Sequence, residues 1–237
     1  MTSDNIHLDH KVICSIIEPY SRVLDLGCGE GELLYPLVRD KHVRAQGIEL
    51  DDQAIQECVK KGLSVFHDDI ESGLREYPDA SFDYVILNQS MQEVKKVDCV
   101  IQEALRIGTK VVIGFPNFAY IKSRVALFFQ GKSPITASLP YLWYDTPNVR
   151  FLSIKDFEVF CAGKKIRIVE AHYLGEKTRV RFLPNLFALN AVFVLTNHGY
   201  EPQSKMQGVI PSATRDCSTN QCRCTALSEL EFHNKKR

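Results

Sequence analysis

Apolar residues along the chain change period several times, and each change marks an element. Val12, Ile13, Ile16 and Ile17 recur at helical spacing, and the stripe stops before Pro19. Residues 22–26 (RVLDL) then read as a short buried strand feeding a glycine-rich turn. Leu33, Leu34, Leu37 and Val38 give the next helix its apolar face, with Pro36 predicted beyond its first turn, where it would kink it. Residues 45–50 (AQGIEL) predict a second strand. Asp51 or Asp52 caps a helix whose inner face is Ala54, Ile55, Cys58 and Val59, and Gly62 suits a left-handed ending. Residues 63–67 make a third strand. The turn residues 78–81 (PDAS) introduce the continuous apolar strand 82–87 (FDYVIL). Val97, Val100, Ile101, Ala104 and Leu105 line another helix, Gly108 follows it, and residues 110–115 (KVVIGF) form a fifth strand.

Strand and helix alternate through this half. Right-handed crossovers then leave one compact solution, an α/β fold with a mostly parallel, Rossmann-like sheet covered by helices on both faces. The second half departs from the repeat. Ile121, Val125, Phe128 and Phe129 predict an amphipathic helix, and residues 131–152 are irregular and aromatic-rich. Ser153 with Asp156 makes a capping-box start for a helix to about Ala162. Residues 165–173 and 189–196 are two closing strands with no obvious helix between them, giving a seven-stranded sheet whose last strand is antiparallel.

Beyond about His198 the apolar period disappears and Ser, Thr, Gln, Asn and Pro dominate. The expected organisation is one domain over residues 1–197 and a flexible tail over 198–237. Lys+Arg and Asp+Glu are both 29, so neither a nucleic-acid surface nor a polybasic membrane anchor is indicated. The polar start of the chain lacks the order of a signal peptide. Cys14, Cys28, Cys58, Cys99 and Cys161 are scattered singly, as reduced thiols of the cytoplasm are. In the tail, Cys217, Cys222, Cys224 and His233 lack a familiar zinc spacing, and no metal site is expected.

Candidate chemistry centres on residues 25–31 (DLGCGEG). Glycines at alternate positions allow a tight turn and close backbone approach to a ligand, and the following helix aims its free N–H groups there. A pyrophosphate site would use the G-x-G-x-x-G spacing. Here the third glycine comes one position early, and Asp25 stands two positions before the first, where it would repel a pyrophosphate. S-adenosylmethionine carries an ammonium and a sulfonium, which a carboxylate attracts. Glu49 ends the second strand, where it can accept from a ribose diol. Asp69 follows the third strand and can accept from an adenine amino group, with Ile70 beside the ring. Asn88 and Gln89 leave the fourth strand at the edge where open α/β sheets bind ligands. Each has a plainer alternative: a turn cap for Asp25, a helix cap for Glu49, solvent for Asp69, strand-end satisfaction for Asn88 and Gln89. The predicted cofactor set is Asp25, Gly27, Cys28, Gly29, Glu30, Gly31, Glu49, Leu50, Asp69, Ile70, Asn88 and Gln89.

The segments DLGCGEGELL, GIELD, FDYVILNQS, IGFPNF and LPYLWYDTPN, in that order, resemble the methionine biosynthesis protein MetW family over roughly residues 23–175. The resemblance implies a class I methyltransferase fold, S-adenosylmethionine or S-adenosylhomocysteine as ligand, and a role beside homoserine O-acyltransferase. It implies Asp25, Gly27, Gly29, Gly31, Glu49 and Asp69 as ligand residues.

Methyl transfer from a sulfonium needs mainly alignment. Residues 88–92 (NQSMQ) lack the Pro-Pro-aromatic of amino-group methyltransferases, which leaves other acceptors open. Phe118, Tyr120, Tyr141, Trp143 and Tyr144 suit a lid, an interface or a buried cluster. Asp145 and His172 are weak candidates for a base, so no catalytic residue is assigned. Two functions follow: an accessory or regulatory subunit of the acyltransferase, and a methyltransferase acting on a small molecule.

Overall fold

The computed structural model describes residues 8–197. The predicted tail, with its cysteines and His233, lies outside the described residues. In chain order the elements are α1 (Leu8–Ile16), β1 (Arg22–Leu26), α2 (Leu34–Lys41), β2 (Arg44–Glu49), α3 (Asp52–Lys60) and β3 (Val65–His67). Then come β4 (Phe82–Asn88), α4 (Val97–Ile107), β5 (Gly108–Pro116), α5 (Ile121–Val125), α6 (Ile154–Gly163), β6 (Arg167–Leu174), α7 (Pro184–Phe187) and β7 (Asn190–Thr196). The seven strands are ordered β3-β2-β1-β4-β5-β7-β6. β3, β2, β1, β4 and β5 pair in parallel, and β7 runs antiparallel to both β5 and β6.

Alternation along the strands sends side chains to two cores. Leu24, Leu26, Val85, Leu87, Val111 and Ile113 meet Val100, Ile101, Ala104 and Leu105 of α4 and Phe157 of α6. Phe115, Phe157 and Phe193 close this layer, with ring centroids 5.0 Å (115–157), 5.8 Å (115–193) and 5.0 Å (157–193) apart. Val23, Tyr84, Ile86 and Val112 face the other way, against Val12, Ile13 and Ile17 of α1, Leu34 and Leu37 of α2, and Cys58 of α3. Strand order reverses between β1 and β4, both parallel, so their carboxyl ends part and leave a crevice there.

Local sequence explains most boundaries. Asp51 caps α3 by accepting from the Ala54 N–H at 2.8 Å. Ser153 and Asp156 form the predicted capping box. The FPNF segment owes its asparagine to architecture. Buried Asn117 donates to the carbonyls of Asn185 and Ala188 and accepts from the Ala119 N–H, pinning the loop after β5 to the β6–β7 connection. Three expectations change. Pro36 sits in the first turn of α2, where its missing N–H costs nothing, so no kink is required. Val59 is 62% exposed, because α3 rests on the sheet chiefly through Cys58. Phe128 is 83% exposed, because α5 passes into a π-helical turn (Ala126–Gln130) whose apolar residues stay outside the core. Among the described residues, no helix is long and apolar enough to cross a membrane.

Candidate ligand site at the ends of β1, β2 and β4

Two contiguous cavities occupy the crevice and share Gly27 and Gly29 on their walls. One, of about 300 Å³, is lined by His10, Asp25, Cys28, Glu30 and Asn88 among others. The other, of about 490 Å³, is lined by Glu49, Leu50, Asp69, Ile70 and Gln89, together with Ser90, Glu93 and Pro147. Both volumes fall within the ~300–1,000 Å³ typical of small-ligand sites. Eleven of the twelve predicted residues therefore line one crevice.

The exception is Gly31. Its φ is +75°, and a Cβ there would lie 2.3 Å from Leu63 Cδ1 and 2.9 Å from Cys58 Sγ, so this glycine serves packing. Gly29 differs: its φ is +52°, and a Cβ would meet no atom within 4 Å. Only a residue without a side chain keeps that part of the crevice clear.

Asp25 ends up here by strand parity. Leu24 and Leu26 enter the α4 core, so Asp25 points to the opposite face, beneath the crevice. It is 2% exposed, and its carboxyl is pushed up to about 7, first by burial and then by the charge of Glu49. Both effects act against its ionisation. Burial also pushes the Cys28 thiol well above its ordinary range, with Asp25 adding to it, so this cysteine is a packing group and a poor nucleophile.

Glu49 is held in place. One carboxylate oxygen accepts the Gly29 N–H at 2.7 Å, and the other accepts the N–H groups of Leu50 at 2.8 Å and Asp51 at 3.1 Å. Asp69 accepts the Glu71 N–H at 2.9 Å, which fixes its carboxylate at the rim. Leu50 and Ile70 supply apolar wall between these acids. A buried carboxylate, a second acid at the adjoining strand end and an open glycine turn suit a ligand with a positive centre and hydroxyls.

Several site residues escaped sequence reasoning. Asp9, in the first turn of α1, is buried and accepts from Asn88 Nδ2 at 3.2 Å and Gln89 Nε2 at 3.4 Å. An acid at a helix start carries no local sign of such a distant contact. Ser90 donates to the Leu26 carbonyl at 2.7 Å, holding the β4 end against β1. Gln89 has φ +59°, a left-handed conformation that bends the chain sharply at the crevice wall. Asp145 is exposed, and His172, on edge strand β6, lies 3.1 Å from Glu170; neither lines the crevice. Tyr141, Trp143 and Tyr144 are exposed, which removes the buried-cluster alternative for them.

Solved structures similar to this fold include a SAM-dependent methyltransferase, possible histamine N-methyltransferase, from Thermotoga maritima. It is 17% identical with a TM-score of 0.58, over 80% of this chain and 87% of that one. A SAM-dependent methyltransferase from Archaeoglobus fulgidus is 15% identical with a TM-score of 0.58, over 78% and 93%. At such identities the likeness carries the fold alone, the class I methyltransferase fold. In sequence, the bifunctional methionine biosynthesis protein MetXA/MetW of Rhodopirellula baltica is 37% identical over 201 residues, which is 79% of this chain. The chain spans 32% of that relative's length. Residues 7–195 match the family described as methionine biosynthesis protein MetW. With strand order, motif order and these matches in agreement, the chain belongs to the MetW family of methionine biosynthesis proteins.

Proposed function

We propose that the crevice binds S-adenosylmethionine or S-adenosylhomocysteine, and that the chain acts in methionine biosynthesis with, or as a regulator of, a homoserine O-acyltransferase. The observation that carries the ligand is the buried Asp25 carboxylate beside Glu49 under an open glycine turn. Asp25 would face the ligand's positive end, Glu49 its ribose hydroxyls, and Asp69 with Ile70 its base. The acyltransferase link draws on the tandem name of the Rhodopirellula baltica relative, in which the matched part is about a third of the chain. Free thiols at Cys14, Cys28, Cys58, Cys99 and Cys161 support a reducing, cytoplasmic setting. Calorimetric titration with S-adenosylmethionine and S-adenosylhomocysteine tests the ligand. Heat of binding that disappears in Asp25→Ala is the expected result, and absence of heat with both nucleosides overturns the reading.

A second reading, methyl transfer to a small molecule, is favoured by one feature. A cavity of about 600 Å³ lies across the short helical turn Met91–Glu93 from the crevice, with apolar wall from Met91, Leu152, Phe157 and Phe160 and cations at Lys95, Lys96 and Arg150. With Asp98 and Asp156 also on the wall, such a lining suits a mainly apolar acceptor with polar substituents. Incubation of labelled cofactor with cell extract, with and without the acyltransferase, separates the two. Turnover that persists without the acyltransferase and stops in Asp25→Ala favours the enzyme.

A further inference from the structure

The segment 141–151 carries a dense run of exposed apolar side chains next to the crevice. Tyr141, Leu142, Trp143, Tyr144, Val149 and Phe151 are all exposed, with Trp143 at 74% and Tyr144 at 68%. Scattered single apolar residues on a surface are ordinary, but six within eleven positions are not. Trp143 and Tyr144 stand edge to face with centroids 5.5 Å apart, which makes a compact aromatic knob. Tyr and Trp dominate the energetic centres of protein interfaces.

The same segment touches the crevice. Pro147 forms part of the wall of its larger cavity. The Val149 and Arg150 N–H groups donate to the Gln92 carbonyl at 3.0 and 3.1 Å, and Arg150 caps the Val94 carbonyl at 3.0 Å. Gln92 in turn donates to the Gln89 carbonyl at 2.7 Å, and Gln89, Glu93 and Val94 line the crevice. Crevice wall and aromatic knob are thus parts of one strap, separated by two residues between Tyr144 and Pro147.

Resting on the accessory reading above, we propose that the knob formed by Trp143 and Tyr144 is the docking surface for the homoserine O-acyltransferase, and that the strap 141–151 connects that surface to the ligand crevice. The occupant is a protein because Asp145 sits within the patch and the chain's formal net charge is zero, both of which disfavour an anionic membrane. The acyltransferase is the protein of choice because the Rhodopirellula baltica relative carries a domain like this one as about a third of a chain with a tandem name, and tethering of this kind suits domains that meet. A ligand shifts such a contact only through groups it touches, and Pro147 and Gln89 provide them. By linkage, the factor by which ligand changes partner affinity equals the factor by which partner changes ligand affinity.

Trp143 is the chain's single tryptophan, so its fluorescence, after subtraction of an identical titration of a variant without it, reports on the knob. The experiment titrates the full chain and a Trp143→Ala/Tyr144→Ala variant with the purified acyltransferase and, separately, with S-adenosylmethionine. The expected result is a blue shift of Trp143 emission on adding the acyltransferase. The double variant should bind the acyltransferase at least about 30-fold more weakly, the loss of one strong interface anchor or more, with ligand affinity unchanged within about twofold. Equal acyltransferase affinity in wild type and double variant would overturn the surface while leaving the accessory function standing. Loss of S-adenosylmethionine affinity in the double variant would make the knob a lid and overturn the proposal. So would a wild-type self-association that the double variant abolishes. If wild type itself does not bind the acyltransferase, the accessory reading fails and this proposal with it.

Discussion

The Glu49 carboxylate accepts the Gly29 backbone N–H at 2.7 Å, tying the end of β2 to the turn that follows β1. The contact keeps the two halves of the crevice in register, and its charge helps to hold the proton on Asp25. In Glu49→Gln the amide NH₂ cannot accept where a carboxylate oxygen did, so one backbone N–H loses its partner, at a cost of about 1–3 kcal/mol. S-adenosylmethionine affinity should fall at least about tenfold, the loss of one charge-assisted hydrogen bond. The Asp25 carboxyl should ionise at lower pH than in wild type. Calorimetry and the pH dependence of binding measure both.

Ligand binding itself should release a proton near neutrality. With its carboxyl pushed up to about 7, Asp25 is largely protonated in the free protein at mildly acid pH, and a cationic ligand requires the carboxylate. Affinity should therefore drop by about tenfold for each pH unit below about 7, until the complex itself takes up the proton. His10, Glu30, Glu32 and Asn88 line the same cavity, and Cys28 and Glu49 flank it. The Asp25→Asn variant identifies the responsible group, because its residual binding should lose this slope. Titration at pH 6 in two buffers of different ionisation enthalpy counts the proton. Affinity independent of pH would show that Asp25 does not face the positive centre.

The same buried acid should cost stability. Its folded pKa lies above its ordinary value of 3.8, so the folded chain keeps a proton that the unfolded chain has lost. Stability then declines as pH rises between about 4 and 7, and the full cost, a few kcal/mol, applies above 7. Asp25→Asn has no charge to bury. Its melting temperature should match wild type near pH 4 and exceed it most above pH 7, while S-adenosylmethionine stabilises it less than it does wild type. Thermal melts across that range, with and without ligand, check the sign.

Sheet and crevice differ in how far they can be read from the chain. The apolar runs at 22–26, 82–87 and 110–115 are buried on both faces, so composition alone marks them as central strands. The placement of Asp25, Glu49 and Asp69 at one crevice is legible because each stands at or beside a strand end, where the fold collects side chains from distant parts of the sequence. Asp9 was not, because its partners Asn88 and Gln89 lie 79 and 80 residues away and nothing local announces the contact. Pro147 reaches the crevice only because the strap is bonded to the Gln92 carbonyl, a tertiary choice with no periodic signature. The apolar spacing of residues 121–129 is that of a helix, and the chain is helical there. Period reports which residues share a face, though, and is silent on whether that face is covered.

Gly29 and Gly31 look equivalent in the sequence, and the structure gives them different work. At Gly31 an alanine Cβ would collide with Leu63 and Cys58, both buried, at a φ of +75°. Strain of about 1–2 kcal/mol from the left-handed backbone adds to overpacking of about 1–3 kcal/mol, so Gly31→Ala should melt well below wild type. At Gly29 the backbone strain is similar, yet no atom stands within 4 Å of the new Cβ, which would project into the crevice. Gly29→Ala should therefore lose only about 1–2 kcal/mol of stability. It should still lose more than about tenfold in S-adenosylmethionine affinity, because a methyl group would displace a closely approaching ligand. Denaturant melts and calorimetry on the two variants separate packing from recognition. A Gly29→Ala protein that binds as tightly as wild type would place the ligand away from this turn.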